Sequence, residues 1–469
     1  MAIKLPNLTR VDKAIGCAHE DLKVSTAFWE MDSFIKKRYR VKYWDSEERK
    51  RIFQELFLLT YDVDNAVYRR DFLWDILDCT PFRRLFKKVY GKIPSYYLRY
   101  VETHGEFGEQ RSLSAIKNDV YRIRRYLMMP ETLEMMAEFS GTSQGVRDLA
   151  AFTKRARKSL EDYAKFVKPL KEKPLIKGDI VDIEWANHCV DKISPYQHRI
   201  QDIAKIKTQM KYFIALAHPY ESECDGERRV YCKPEFLDSG LRTGTIKNAY
   251  HPAYFKYPYK YDDKGNRVVE RVLNVPNDIN WNDSQRATFI QGPNSMGKTV
   301  YLLTAALNIH LPMAGLLPFA DSCVMSLVRK IHPCFDLGDT FGKEGHFVTG
   351  ADKINDMLRT ITIEDIVLLD EAGGGTEPEA ERKISKGLSD AFIQYGITFF
   401  DVTHDSDAWK KHKKRKGVHM LRVADLNDEK RRYNVWPGIA KGGYAMQIAE
   451  EKGIDPKSVK ERLEKQLKC

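Results

Sequence analysis

The stretch that decides the fold runs Ala287-Thr-Phe-Ile-Gln-Gly-Pro-Asn-Ser-Met-Gly-Lys-Thr299. Its first five residues read as a short buried strand. Gly292 to Thr299 then match G-x-x-x-x-G-K-[ST], and Val300 to His310 continue as a helical run. A strand that breaks into a glycine-containing loop and opens a helix is the context in which this pattern cradles phosphates. Gly292 and Gly297 permit the tight turn of the loop, which comprises Gly292, Pro293, Asn294, Ser295, Met296 and Gly297. Its N–H groups would face phosphate oxygens at the start of the helix, together with Thr299 and Val300. Lys298 can reach the β- and γ-phosphates, and the Thr299 hydroxyl can ligate magnesium.

Working outward, Ile366-Val-Leu-Leu-Asp370-Glu371 is an apolar strand ending in two carboxylates. In an open α/β sheet such acids emerge at the carboxyl edge, where ligands bind. Asp370 suits the magnesium shell, and Glu371 is placed to orient and deprotonate a water attacking the γ-phosphate. A third strand, Ile397 to Asp401, leads through Val402 and Thr403 to His404, which is positioned to contact the γ-phosphate.

The residues before about 225 read as mainly helical. Leu113, Ile116, Val120, Ile123 and Leu127 line one helix face, with Ser112 as its cap and Pro130 as its end. A second stripe runs from Ile200 to Ala217 and is expected to start at Ser194-Pro195. Lys36 to Trp44 (KKRYRVKYW) reads as a solvated amphipathic face, and the polar stretch Ser222 to Arg228 as a boundary. Beyond it, helices alternate with short apolar strands, the signature of an α/β layer. The basic run between Lys410 and Lys416 reads as an exposed loop.

The 469 residues, with 77 Lys+Arg against 66 Asp+Glu, make a formal net charge of +11, which permits a polyanionic partner. Eight scattered cysteines without a CxxC pair favour reduced thiols in the cytosol over a disulfide framework or a zinc ribbon. No apolar run approaches the roughly 18 residues of a membrane span, and the N-terminus lacks the apolar stretch of a secretory signal.

The three phosphate-site elements, in this order, resemble the ATPase domain of the MutS family, in the ABC-type branch of P-loop ATPases. The resemblance extends to Cys232 to Phe236, Tyr250-His251-Pro252, Val275 to Ile279, Gly-Pro-Asn at 292–294 and DEAGGGT at 370–376. It covers about Tyr231 to Ala449 and, more weakly, Phe72 to Lys88. It implies a multidomain chain: a helical N-terminal core/lever region (1–228), an α/β P-loop ATPase domain of the ABC type (229–454) and a short C-terminal basic helix (455–469). ATP and Mg2+ are the implied cofactors, with hydrolysis at a site shared by two subunits of a homodimer and coupled to DNA. Lys298 and Thr299 would hold phosphate and metal, Asp370 and Glu371 would support hydrolysis, His404 would sense the γ-phosphate, and Asn277 would lie near the adenine.

Departures from the family pattern are also informative. Ser295-Met296 stands where the family usually has Met-Gly. Asn274 stands at the aromatic that stacks on the base. Gly345-His346-Phe347 stands in place of the Ser-Thr-Phe segment that crosses to the partner's nucleotide, so either His346 substitutes for the serine or the contact across the dimer is weakened. The length leaves no room for mismatch-recognition and connector domains or a C-terminal nuclease domain, so a short cytoplasmic form is expected. Two functions stay open: an ATP hydrolase that switches a DNA-associated mismatch-repair or recombination-like assembly, and an ATP-switched scaffold with negligible catalysis and no mismatch preference. A chromosome-maintenance ATPase would need a long heptad coiled coil and an LSGGQ-like helix, and neither is present.

Overall fold

The computed structural model describes residues 63–94, 97–98, 100–102, 104, 110–221, 231–251, 259–261, 267–269, 275–293, 296–334, 346–371, 377–403, 412, 414–424, 433–440, 450, 452–453 and 455–467. The readings on Lys36 to Trp44 and Ser222 to Arg228 lie outside them. The chain folds as two compact units, whose described residues lie mainly at 67–221 and 231–467, and each is built around its own core.

The first unit is helical: α1 (Val63–Asp78), α2 (Thr80–Lys92), α3 (Leu113–Leu127), α4 (Met129–Ala137), α5 (Gln144–Ser159), α6 (Glu161–Val167), a two-residue ribbon β1 (Ile176–Lys177) and β2 (Ile180–Val181), then α7 (Ile183–Ile193), α8 (Gln197–Ala204) and α9 (Ile206–Glu221). Its core centres on an aromatic cluster in which Phe72 meets Phe213 edge-on at 4.5 Å and Phe82 meets Phe139 at 5.3 Å. Ser112 caps α3 as its type predicts, its Oγ accepting from the Ala115 N–H.

Two expected boundaries move. Pro130 does not end α3, which stops at Leu127. The proline instead occupies the first turn of α4, where its missing N–H costs no helical hydrogen bond. The stripe after Ser194 is two helices with a break at Lys205, and Ser194 itself donates back to the Val190 carbonyl at the end of α7.

The second unit is a mixed α/β layer. Its strands are β3 (Glu235–Leu237), β4 (Gly244–Ala249), β5 (Tyr259–Tyr261), β6 (Arg267–Val269), β7 (Asn277–Trp281), β8 (Ala287–Gln291), β9 (Ser322–Ser326), β10 (Ile331–Cys334), β11 (Ile366–Asp370), β12 (Thr398–Val402), β13 (Val418–Val423) and β14 (Val435–Pro437). The helices are α10 (Lys298–Met313), α11 (His346–Thr360), α12 (Pro378–Tyr395) and α13 (Pro456–Leu467). Six strands form one sheet in the order β10-β11-β12-β8-β13-β14, parallel except for β14. A four-stranded sheet has the order β3-β9-β4-β7, and β5 pairs with β6 alone.

The central strands β8, β11 and β12 are buried along almost their whole length, which is why they read as unbroken apolar runs. Alternation sorts their side chains. Phe289, Val367, Leu369 and Phe399 pack with Met357 of α11 and Phe392 of α12 on one face. The helix α10, buried from Tyr301 to Met313 and mostly apolar apart from Thr304, Asn308 and His310, adjoins β11 and β12.

Candidate nucleotide site

Parallel register brings three strand ends to one edge. Asp370 pairs with Val402, and Val402 with Ile290, so the turns after β8, β11 and β12 start side by side. Two backbone bonds tie them: the Glu371 N–H donates to the Val402 carbonyl (3.0 Å), and the Thr403 N–H to that of Ile290 (3.4 Å).

The loop after β8 turns through Gly292, whose φ is +140°. A β-carbon there would fall 2.3 Å from Val423 Cγ2, so the position admits no side chain. Gly297 caps α10 at φ +95°, and a β-carbon there would lie 2.9 Å from the Tyr433 ring. Between them Met296 is buried, packed against Val423, Ala424, Val435 and Trp436. That seat explains how the loop carries a large side chain where the family usually has glycine.

Lys298 sits at the first residue of α10, 5% exposed, and its ammonium donates to the Gly292 (2.9 Å) and Pro293 (3.1 Å) carbonyls. Burial pulls its pKa down to about 8, and the nearby Glu371 and Asp370 carboxylates oppose that shift. The lysine and both acids therefore share one electrostatic site. Asp370, half-buried, follows Ile366 and Leu368 on the face opposite Leu369. Glu371 is exposed and holds φ +54°, a left-handed conformation uncommon for a residue with a β-carbon. Thr299 is exposed in the first turn of α10, and Val300 is half-buried beside it.

Asn277 does structural work that its resemblance-based role did not include. Its amide donates to the Val275 (3.2 Å) and Tyr433 (3.1 Å) carbonyls, and its oxygen accepts from the Val435 N–H (2.7 Å), joining β7 to the start of β14. Tyr250-His251 is held from α10 by the fully buried Asn308, which donates to the Tyr250 carbonyl and accepts from the Phe319 N–H. Burial drives the His251 imidazole down to about 3, so it is neutral at ordinary pH. His346 opens α11, but its side chain is not among the described ones. Asn294, Ser295 and His404 lie outside the described residues, as do Lys410, Lys411 and Lys413 of the basic run. Lys414, Arg415 and Lys416 are exposed, while His412, two residues before them, is buried.

Residues 288–468 match the family model of MutS domain V. The C-terminal part of the chain is therefore similar to MutS proteins in that domain. An endonuclease MutS2 from Thermus thermophilus is 27% identical over 194 residues, 40% of this chain and 26% of that protein. An endonuclease MutS2 from Halothermothrix orenii is 29% identical over 205 residues, again 26% of its length. A DNA mismatch repair protein MutS from Caldicellulosiruptor saccharolyticus is 26% identical over 305 residues, 62% of this chain and 32% of that protein. The match to these MutS relatives thus spans a third of their length or less. Among the described residues no helix is long and apolar enough to cross a membrane, and no group of three or more metal-binding side chains gathers.

Two features of this site are not legible in the sequence: the Tyr433 ring against Gly297 and the Met296 seat. Both depend on a turn far along the chain. The only signal available was the apolar pair Val435-Trp436 beside Tyr433.

Proposed function

We propose that the chain is a MutS-like ATPase of the P-loop, ABC-type class that binds and hydrolyses Mg-ATP at a dimer-dependent site and thereby switches a DNA-associated assembly. Residues 1–228 would serve as core and lever, 229–454 as the ATPase domain and 455–469 as a terminal helix. The observation that carries this reading is the convergence of Lys298, Asp370 and Glu371 at the carboxyl edge of the parallel sheet, beside a loop whose glycines leave no room for side chains.

The residues fit a magnesium–nucleotide pair: a buried ammonium already centred in the loop, a hydroxyl in the first helical turn and a carboxylate facing them. Thr299 and Asp370 would hold Mg2+, which supplies charge neutralisation on the β- and γ-phosphates. Lys298 would trade its two carbonyl partners for phosphate oxygens. Glu371 accepts a proton from the attacking water as the oxygen bonds to the γ-phosphorus and the β–γ bridge breaks, releasing ADP and phosphate. His404 and His346 would add contacts to the γ-phosphate from the same chain and from the partner copy.

The test is ATP turnover as a function of protein concentration. Lys298→Ala should lose nucleotide binding. Glu371→Gln should bind nucleotide yet turn over at least about 100-fold more slowly. Wild-type turnover in Glu371→Gln would remove Glu371 as the base. The scaffold reading is favoured by one observation, the replacement of the family's Ser-Thr-Phe by Gly345-His346-Phe347. Negligible turnover at every concentration, with binding intact, would select it.

A further inference from the structure

A cleft of about 480 Å³ opens in the helical unit where the C-terminal ends of α2 and α3 meet. Lys92 of α2 lines it, with Asn118, Tyr121, Arg122, Arg124 and Arg125 of α3. Positions 118, 121, 122 and 125 recur at helical spacing, so they share one face of α3, while Val120, Ile123 and Leu127 are buried on another. Four cations thus border one concavity, and no carboxylate lines it among the described residues.

Charge bookkeeping leaves a surplus. Asp119, buried, takes Arg111 (2.7 Å) and Arg122 (3.1 Å), so its single charge offsets at most Arg122 among the cations of the cleft. Two helix C-termini contribute about half a negative charge each, so roughly one more cation is offset. About two positive charges remain uncompensated. Lys92 and Arg125 are only half exposed, so water screens them incompletely. A further ammonium crowds the place: Lys207, which donates to the Ile93 carbonyl (2.6 Å) and sits 5.0 Å over the Tyr90 ring. Burial and then repulsion from Arg125 bring its pKa down to about 8. Helix ends alone would be satisfied by fewer cations than this.

We propose that this cleft binds the phosphodiester backbone of nucleic acid, with Lys92, Arg124 and Arg125 on phosphates and the exposed Tyr121 ring against a sugar or base. The inference rests on the reading of DNA as the partner and gives that partner a location remote in sequence from the nucleotide loop. Phosphate contacts of this kind position a strand without reading its sequence. The Tyr121 ring, 47% exposed, offers the flat surface that single strands use.

The test uses the full chain with a 20-bp duplex and a 20-nucleotide single strand, titrated across salt concentrations, with sodium phosphate as competitor. In the variant Lys92→Ala/Arg124→Ala/Arg125→Ala, affinity for DNA should fall at least about tenfold at low salt, and the salt slope on duplex should drop by about 3. ATP binding and the thermal melt should stay at parental values. Arg124→Lys/Arg125→Lys, which keeps the charge, should retain the parental slope. Parental DNA binding with an unchanged slope in the triple variant would overturn the cleft and leave DNA as the partner. A parent that binds ATP but no DNA would overturn both. Phosphate binding that is lost in the triple variant while DNA affinity stays parental would also overturn it, leaving a small-anion site only.

Discussion

The two ends of β11 each carry an aspartate, and the chain treats them in opposite ways. Asp365, just before the strand, has its side chain fully buried and surrounded by donors. Arg329 Nε gives to Oδ1 (2.8 Å), while the Thr362 N–H (2.9 Å), His332 Nε2 (3.0 Å) and the Arg329 guanidinium reach Oδ2. Burial pushes its pKa up, but His332, Arg329 and the Thr362 N–H more than reverse that, and the carboxyl stays ionised below the usual range. Asp370, five residues on, is half-buried beside Lys298 and is followed by Glu371 in a left-handed conformation. One end spends its polar groups on holding β10 and β11 together. The other keeps acids and a lysine close together at an open edge. The lesson is that the kind of residue matters less than how fully the fold has already satisfied it.

That contrast can be broken most sharply by substitution at both ends. Asp365→Ala should destabilise the unit by roughly 3 kcal/mol, since it strips the carboxylate from Arg329 and His332. Asp370→Ala should shift a denaturant melt by less than about 1 kcal/mol while abolishing magnesium-dependent nucleotide binding. Similar melts for the two variants would erase the distinction.

A second aspartate near the functional edge sharpens it. Asp401 in β12 is buried, with Ser389 near Oδ2 at 3.4 Å and no partner on Oδ1 among the described residues. Burial raises its pKa to about 7, with Asp370 adding to the rise and Ser389 opposing it. The folded state therefore holds this proton when the unfolded chain has already lost it. Stability from the neutral carboxyl is complete below about pH 4 and is lost as pH rises toward 7. Asp401→Asn should leave stability nearly unchanged at pH 4 and raise it at pH 8, by on the order of 4 kcal/mol at most. Urea melts at pH 4, 6 and 8 check this, and a gain independent of pH would contradict it. A smaller effect than at Asp365 or Asp401 is expected at the loop. Gly297→Ala, strained by its φ and pressed on Tyr433, should cost about 1–2 kcal/mol of stability but reduce nucleotide affinity by a larger factor. Melts and binding isotherms on the same preparation separate the two.

Much of the edge was legible because its signals are local. Strand Ala287–Gln291, strand Ile366–Asp370 and the Ser112 cap each rest on neighbours within a few residues, and the structure places all three where the pattern did. What escaped depends on distant partners. Asn277 is a base-side residue by resemblance alone, and its side chain meets the Tyr433 carbonyl and the Val435 N–H, which no local pattern points to. Pro130 shows the limit at short range: one proline signals both an end and a beginning, and only the packing of α4 decides. Asp401 looked like the polar end of a strand. Alternation puts it instead on the face of Phe399 and Phe289, where its charge is costly.

Met296 carries a consequence of its own. With its side chain pegged between β13 and β14, the loop and that edge of the sheet form a single mechanical piece. A shift of one is then a shift of the other. By reciprocity, anything that leans on β13 and β14 changes the loop's grip by the same free energy with which an occupied loop changes those strands.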